Sequence, residues 1–524
     1  MRISNSMISP WLVHSPVSPT LPRCRFSLLV LISCASWGFL SASGCNKKSG
    51  AVDTNASSSG QDSIAPDTLL LSAVELLQSP SRSQASYEIA ADRLNKYLEN
   101  SRGSGNSPIA PLSEEMRGFL TRAVPARRMP LIDREQFLFS DALHLENCFL
   151  YRDIAHHVTA ALRNDWAKTE ALFDWVVRNV QLPSADDPAR LPVSPRVVFL
   201  TGRGSEQERA WTFMELLRQV DIDSVMLGYP ELVSDSKTKR TVTWIPGVLL
   251  DESLYLFDTT LGLPIPGPGG KGVATLRQAM EDPTLLTALD LDHDRPYPVQ
   301  AEQLKEVVVL LESSPSFWAP RMRFLQERLS GKNRAVLWSD LPGLQKRAKQ
   351  AVGQETGVEL WALPFGVDEN SRGDKEYKNQ IEQMLMPILP YLEARLAHLR
   401  GAFGDAIRVY MRNRTAPPAK IDAAPQMRQY YERMREDSTY FLGQVKFEQE
   451  EYGPAIEWGR RYLQRYPSGD WVVSVNYLLG RCAEAQEDSA KAIEYFTVPN
   501  PGPQGLGNLL RARRFGWKPE SPAP

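Results

Sequence analysis

The stretch 201–223 constrains the fold most, because a glycine-containing loop there runs straight into an amphipathic helix. The apolar side chains of this helix recur at helical spacing, at Ala210, Phe213, Met214 and Leu217. A strand-like segment follows at once at 224–229, and two more occupy 242–251 and 253–258. A helix that leads into consecutive strands predicts a core of the α+β class in the middle of the chain.

The composition is that of a globular chain with room for several domains. Its 524 residues are 42% apolar and 23% charged, and the formal net charge is −2. Nucleic-acid binding needs a concentrated basic face, so we expect no nucleic-acid partner. The five cysteines include no closely spaced pair, which argues against a zinc site or a disulfide framework. We therefore expect no metal and no cofactor, although one bridge between Cys148 and Cys482 is compatible with the sequence.

The first 45 residues have the three parts of a secretory signal. Arginines without acids come first, an apolar run at 26–40 is shorter than the about 20 residues of a spanning helix, and small residues occupy 41–44. The ending Ala42-Ser-Gly-Cys45 resembles a bacterial lipobox, which implies lipidation of Cys45 and attachment to the membrane through that lipid. An ordinary secretory signal or an uncleaved anchor is the alternative.

Changes in pattern divide the rest of the chain into regions. The predicted order after the signal segment 1–45 is a flexible tether at 46–67, a helical region at 68–165, an α+β core at 166–290, an α/β connecting region at 291–370, helical repeats at 371–515 and a tail at 516–524. In the connecting region the pattern predicts helices at 301–311, 319–329 and 344–351, strands at 334–338 and 358–365, and a loop at 366–375.

The middle region resembles the core of transglutaminase-like, papain-type thiol enzymes. The helix before the loop reads Ala171-Leu-Phe-Asp-Trp-Val-Val-Arg-Asn-Val180, which is similar to the helix that precedes the catalytic cysteine loop of that family. The family motif continues as Gly-x-Cys, an aromatic-Ala pair, Leu-Leu-Arg and a turn into a strand. The corresponding positions here are Gly204-Ser-Glu206, Arg209-Ala210, Leu216-Leu-Arg218 and Asp221-Ile222. The resemblance implies a papain-like α+β fold.

Two of the family's three catalytic residues are replaced in this part of the sequence. Its nucleophilic cysteine stands at a helix N-terminus, where the dipole and an imidazole lower the thiol pKa, and Glu206 occupies that position. Asp258 keeps the third position, and counting back from it puts Thr243 where the family carries histidine. No histidine occurs between residues 158 and 292. The resemblance therefore implies a pseudoenzyme in which Asp258 caps the turn that follows it.

Two enzymatic interpretations use the same residues. The first is a remodelled papain-type cleft acting on peptide or amide substrates, with Glu206, Asp258 and Glu208 as acid, base or metal ligands. The second places a nucleophile at Ser205 or Thr243, with no base in view.

A separate group of histidines lies in the helical region. His144 precedes Cys148 by four residues, and His156 and His157 follow. The pattern predicts helices at 135–145 and 152–162, joined by a semi-buried turn at 147–150. A thiol–imidazole pair or a metal site is one interpretation. We favour the other, in which Cys148 is a small core residue beside boundary histidines.

A repeat of 37 residues is visible near the C-terminus. Leu442 and Leu479 occupy the same place in successive units, as do Ala455 and Ala492, and a weaker copy lies at 399–410. The pattern resembles tetratricopeptide repeats, which stack helix pairs into a solenoid. The resemblance implies a concave face that binds a protein or peptide. Because three units are few for a stable stack, we also expect contact with the middle domain.

Together these patterns predict a multidomain α+β chain with a helical N-terminal region, a papain-like core and a C-terminal α-solenoid. We expect an exported lipoprotein of the bacterial cell envelope, on its periplasmic or surface face. Its expected function is to bind an unknown protein or peptide as a scaffold, without catalysis in the middle domain.

Overall fold

The computed structural model describes residues 66–79, 83–102, 107–184, 187–232, 239–312, 314–353, 356–415 and 425–519. The predicted signal 1–45, with Cys45, lies outside the described residues, as does nearly all of the predicted tether. The described residues belong to one compact unit. None of the helices in these ranges has the length and apolar run that crossing a bilayer requires.

The N-terminal region is helical, as predicted. Its helices are α1 (Pro66–Gln78), α2 (Gln84–Ser101), α3 (Glu114–Ala123), α4 (Met129–Ile132) and α5 (Phe139–Thr159). The predicted turn at 147–150 is wrong, because α5 is continuous and these residues lie in its middle. Leu145, Cys148 and Phe149 on α5 are buried, so tertiary packing keeps the helix intact through a segment of weak helical preference.

The middle region consists of three helices and an antiparallel meander. Its elements are α6 (Asp165–Asn179), α7 (Pro195–Thr201), α8 (Glu206–Arg218), β1 (Ser224–Leu232), β2 (Lys239–Leu250), β3 (Ser253–Asp258) and β4 (Leu263–Pro264). The predicted helix and three strands are confirmed to within a few residues. The middle of the sheet is buried in continuous runs, at 225–228 and 245–248, because helices cover both faces there.

Two short helices follow β4 at the end of the middle region, α9 (Leu276–Glu281) and α10 (Thr284–Thr287). The connecting region then adds α11 (Ala301–Leu304), β5 (Val308–Leu311), α12 (Pro320–Gln326), α13 (Leu341–Val352) and β6 (Gly357–Leu360), followed by α14 (Ala362–Gly373). The sheet order is β4-β3-β2-β1-β5-β6, with β5 and β6 parallel and all other neighbours antiparallel. The fold is thus mostly helical with one mixed sheet, as the α+β prediction requires.

Four predictions for the connecting region are wrong in whole or in part. The predicted strand 358–365 ends at Leu360, because the helix α14 begins at Ala362. The predicted helix 301–311 ends at Leu304, because the branched run that follows joins the sheet as β5. The predicted loop 366–375 is mostly the helix α14. The predicted strand 334–338 pairs with no strand in the described chain, because side chains hydrogen-bond to its backbone. Gln219 bonds to both the amide and the carbonyl of Val336, and Gln326 accepts from the next two amides.

The sheet separates two hydrophobic clusters. Val225, Leu227 and Leu256 point to the cluster that contains α1–α3, α9, α12 and α13. Met226 points to the opposite face, which α8 covers with Ala210 and Met214. Side chains alternate along each strand, so the residues of one strand are divided between these two faces.

The C-terminal region is a series of helices in pairs. They are α15 (Lys375–Leu385), α16 (Leu392–Leu399), α17 (Phe403–Asn413), α18 (Pro425–Glu448), α19 (Tyr452–Arg465), α20 (Val472–Ala485), α21 (Ser489–Phe496) and α22 (Gly505–Arg514). Small residues permit close approach of the helices: a Cβ on Gly443 of α18 would lie 3.6 Å from Trp458 of α19 and 3.2 Å from Leu478 of α20, and Ala455 is fully buried. The predicted helix pairs are therefore present, at the predicted repeat spacing.

The expected contact between these helices and the middle region is extensive. Leu396, Tyr477 and Phe496 belong to the same hydrophobic cluster as residues of α6, α7 and α8. Polar contacts join them as well: Asn179 donates to Glu448 at 3.0 Å, and Arg481 pairs with Asp174. The inner helices α16, α18 and α20 thus bury much of one face of the stack against the middle region.

Candidate functional site

The helix α8 starts with reciprocal capping between a serine and a glutamate. The Ser205 hydroxyl accepts from the Glu208 N–H at 3.3 Å, and the Glu208 carboxylate accepts from the Ser205 N–H at 2.7 Å. Glu206 is therefore the first residue of the helix, as the sequence predicted. The residue as a whole is exposed, but the surrounding protein partly desolvates its carboxyl group, and this raises the pKa of Glu206.

Glu208, a candidate acid or metal ligand, is fully buried and fully bonded. Besides the Ser205 amide it accepts from the Val193 amide and from both terminal nitrogens of Arg190, at 2.9 and 2.5 Å. These bonds fix the loop before α7 onto the start of α8. The carboxylate has a structural role here, because its four acceptor positions are taken.

Thr243 lies on the face of the sheet that α8 covers. The register of β1 and β2 shifts between Met226 and Gly228, which leaves one extra residue in β2 and puts Thr243 opposite Gly228. Thr243 and Gln207 line the same groove, so the position that the family gives to histidine opens beside the start of α8.

Asp258 lies on the other face. It alternates with Phe257, which packs on the α8 side, and shares its face with Leu254 and Leu256 of the opposite cluster. Its Oδ1 accepts from the amides of Thr260 and Leu261, both at 2.9 Å, so the predicted turn cap is confirmed.

The second oxygen of Asp258 ends a chain of hydrogen bonds. Trp244 Nε1 donates to the Tyr297 hydroxyl at 2.9 Å, and this hydroxyl donates to Asp258 Oδ2 at 2.8 Å. Burial raises the pKa of Asp258 to about 6 despite these donors, and the charge of Glu206 adds to the rise. These hydrogen bonds hold the Asp258 carboxyl group inside the protein.

Glu206, Thr243 and Asp258, the positions that correspond to the family's catalytic residues, do not form one site. Thr243 and Asp258 face opposite sides of the sheet, and Glu206 lies at the helix start. Of the described residues that line the groove beside Thr243, none is a histidine or a cysteine. Neither Trp211 nor Trp244 closes the groove: the Trp211 indole donates to Glu215 at 3.1 Å, and Trp244 points to the other face.

The groove itself has a volume of about 340 Å³, and we call it the α8 groove. It crosses the face of β2, β1, β5 and β6, with α8 on one side and α14 on the other. A larger residue would not fit at Gly228 of β1, since a Cβ there would lie 2.7 Å from the Val242 carbonyl oxygen and 3.2 Å from Leu310. Its lining residues are Pro192, Gln207, Thr241, Thr243, Leu310, Glu359, Leu360, Trp361, Ala362, Leu363, Gly366, Val367 and Asn370.

The wall of the groove includes residues that the sequence did not single out. Trp361 is buried, its ring centroid lies 6.4 Å from that of Trp211, and it contributes to the lining. The residues of α14 were missed because that helix was predicted as a loop. The one available signal was the apolar run 358–365, which the prediction treated as a strand throughout.

The thiol–imidazole pair of α5 is internal. Cys148 Sγ lies 3.7 Å from His144 Nε2, and that nitrogen is also 3.1 Å from the Leu337 carbonyl oxygen. Burial lowers the pKa of His144 to about 4 and raises the pKa of Cys148 well above its usual value. Both groups are thus neutral, which fits the core interpretation. The compatible bridge is not formed, since Cys148 and Cys482 are both free and buried.

A buried charge cluster near this pair was missed by sequence reasoning. Arg218 donates to Glu215 at 2.7 Å and to Glu312 at 3.3 Å, and burial raises the pKa of Glu215 to about 7. The three residues come from α8 and from the end of β5, so no local pattern brings them together. Across the described ranges, no group of three or more histidine, cysteine or acidic residues is placed to hold a metal ion.

Comparison of the chain with protein-family models, with curated proteins and with solved structures gave no match in any of the three.

Proposed function

We propose that the protein is an exported, lipid-anchored scaffold of the bacterial cell envelope that binds a segment of a protein or peptide in the α8 groove. The observation that carries this proposal is the open groove beside Thr243 at the start of α8. It is mostly apolar with a few polar groups, which is the usual character of a binding site. It also occupies the place where the resemblance to transglutaminase-like domains puts the substrate cleft.

Two observations favour binding over the alternative of a remodelled enzyme. Acyl transfer needs a nucleophile within hydrogen-bond reach of a base, and Thr243 and Asp258 face opposite sides of the sheet. The carboxylate of Glu208 is occupied by four donors. These positions therefore support a pseudoenzyme built on a papain-like core.

The C-terminal helices have a supporting role in this proposal. A tetratricopeptide-type solenoid would use its inner helices for a ligand, but here Arg395 of α16 donates to the Phe199 carbonyl, and Gln444 of α18 donates to the Arg178 carbonyl. The stack thereby holds the middle region. A partner that binds the repeats directly would contact the outer helices α17, α19 and α21.

Site-specific photo-cross-linking in the full chain tests the proposal. A photoreactive residue replaces Leu363 in the groove or, as a control, Met411, which is 44% exposed on α17. We expect a discrete cross-linked product from position 363 that Gly366→Leu removes, since the space beside Gly366 is empty and a leucine would fill the groove. A product from position 411 alone would move binding to the repeats and contradict the proposal.

A further inference from the structure

The strand β6 forms one edge of the sheet, and among the described residues half of its backbone groups have no partner. Of the described strands it pairs only with β5, in parallel, with Glu359 opposite Leu310, and the Trp361 amide donates to the Leu311 carbonyl at 2.7 Å. In a parallel ladder this register turns the amide and carbonyl of Glu359 towards β5 and those of Val358 and Leu360 outwards. Among the described residues, nothing hydrogen-bonds to these outward groups.

This open edge is continuous with the α8 groove. Glu359 and Leu360 of β6 line the groove, and the next residue, Trp361, forms its base. Val358 and Leu360 are only half-buried, so water reaches the edge. An exposed edge with unpaired amides and carbonyls is a template for an added strand.

The charge beside the edge is negative. Of the described residues that line the groove, Glu359 alone carries a charge, and its only polar partner there is the Thr241 hydroxyl at 3.4 Å, a long contact. Strand alternation puts the Glu359 side chain on the groove face, opposite Leu310. A cationic side chain of an added strand would meet this carboxylate.

We infer that the occupant of the groove is an extended segment of a partner polypeptide that adds to the sheet beside β6, with a lysine or arginine placed at Glu359. Backbone pairing to Val358 and Leu360 supplies the affinity, and the groove selects the side chains that face it. The inference rests on the proposed function, because it uses the same groove. Pairing of β6 with β6 of a second copy is the competing occupant.

Peptide binding to the full chain tests this inference. The probe is a fluorescent six-residue peptide of alternating lysine and valine, and its partner probe has glutamate for lysine. We expect saturable binding of the lysine probe, at least tenfold weaker binding by Val358→Pro, and little change with Val358→Ala. Proline removes the outward amide yet is tolerated on an edge strand, whereas alanine keeps the amide and controls for the lost side chain.

The charge and the backbone are then tested separately. Glu359→Lys should reverse the preference between the two probes, and the effect should weaken at high salt. N-methylation of one alternate set of probe amides should weaken binding at least tenfold, and methylation of the other set should not. The methylated probes are measured on the wild-type chain, so their result does not depend on whether any variant folds.

Each failure has a distinct meaning. Binding that Gly366→Leu blocks, but that neither N-methylation nor Val358→Pro changes, would overturn strand addition and leave the proposed function standing. Binding that Gly366→Leu leaves unchanged would count against the proposed function itself. A dimer of the free protein that Val358→Pro dissociates would show that β6 pairs with a second copy, and the inference would be wrong.

Discussion

Thr243 and Asp258 lie on opposite faces of the same sheet. An extra residue in β2 sets the orientation of Thr243, and Tyr297 together with two turn amides holds Asp258 on its own face. An aspartate can orient a catalytic base only when the two share a site. The fold therefore places Thr243 and Asp258 in different sites, although their order along the chain predicts that they share one.

The first prediction concerns the protonation of Asp258. Its pKa is about 6 in the folded state, against an ordinary value of 3.8. Between these values the unfolded chain loses the proton while the folded chain keeps it, so Asp258 makes stability fall as pH rises from about 4 to about 6. We expect Asp258→Asn to be free of this pH-dependent fall in stability, which is of the order of 3 kcal/mol.

Urea denaturation of the wild type and of Asp258→Asn at several pH values measures this effect. The difference in unfolding free energy between the two proteins should shift in favour of the variant as pH rises through the window. A difference that stays constant from pH 4 to pH 7 would show that the carboxyl group is not buried as described.

The second prediction compares two neighbouring glutamates at the start of α8. Glu208→Ala leaves Arg190 and two amides without their buried acceptor, and we expect a loss of about 3 kcal/mol of unfolding free energy. The control Glu206→Ala removes only an exposed acid at a helix N-terminus and should cost less than about 1 kcal/mol. Equal losses for both variants would refute the assigned roles.

The third prediction concerns the junction between the middle region and the C-terminal helices. Glu448 accepts from Asn179 at 3.0 Å and lies 3.6 Å from His398 Nε2 and 3.8 Å from His157 Nε2. Burial alone would raise its pKa, but the histidines and Arg178 outweigh this and hold the pKa well below its usual value. Its contribution is therefore present above the ordinary pKa of 4.5 and is lost as pH falls below it.

Glu448→Gln should accordingly lower the unfolding free energy at pH 7 by about 2 kcal/mol, because a charged acceptor in a buried network is replaced by a neutral one. The deficit relative to the wild type should shrink below about pH 4. The exposed Glu457→Gln serves as the control, since its ion pair with Arg461 is at the surface. A deficit that grows on acidification would contradict the assignment.

The fourth prediction concerns the lipid anchor. If Cys45 is the lipidated residue, radioactive palmitate added to the growing bacterium should label the wild-type chain, and Cys45→Ala should carry no label. The variant should also leave the membrane fraction, because stable anchoring depends on the acyl chains. Absence of label on the wild type would refute the lipobox interpretation.

The central elements of the fold were predictable because local patterns specify them. The segment from Ser205 to Asp258 contains a capping motif, a periodic helix and short alternating strands, and all of these signals agree. Asp258 was also correctly assigned as a turn cap, since an aspartate before Thr-Thr-Leu-Gly has a local role. The repeat spacing located the C-terminal helix pairs for the same reason.

The rest depends on contacts between distant residues. No sequence window contains the bulge that sets the face of Thr243, and the amides near Val336 are bound by Gln219, more than a hundred residues earlier. The α8 groove joins β2, β6 and α14, and α14 was missed because residues 358–365 were predicted as a strand and 366–375 as a loop. Packing decided these elements against their local preference.

The most direct test of the central claim follows both the binding and the chemical fate of one peptide. The lysine–valine probe is incubated with the full chain, its binding is measured by fluorescence anisotropy, and its mass is measured after a day. We predict groove-dependent binding, lost in Gly366→Leu and kept in the matched Gly404→Leu, with recovery of the probe at its original mass. A cleaved or covalently modified probe, formed by the wild type and not by Glu206→Gln, would contradict the claim that this groove binds without catalysis.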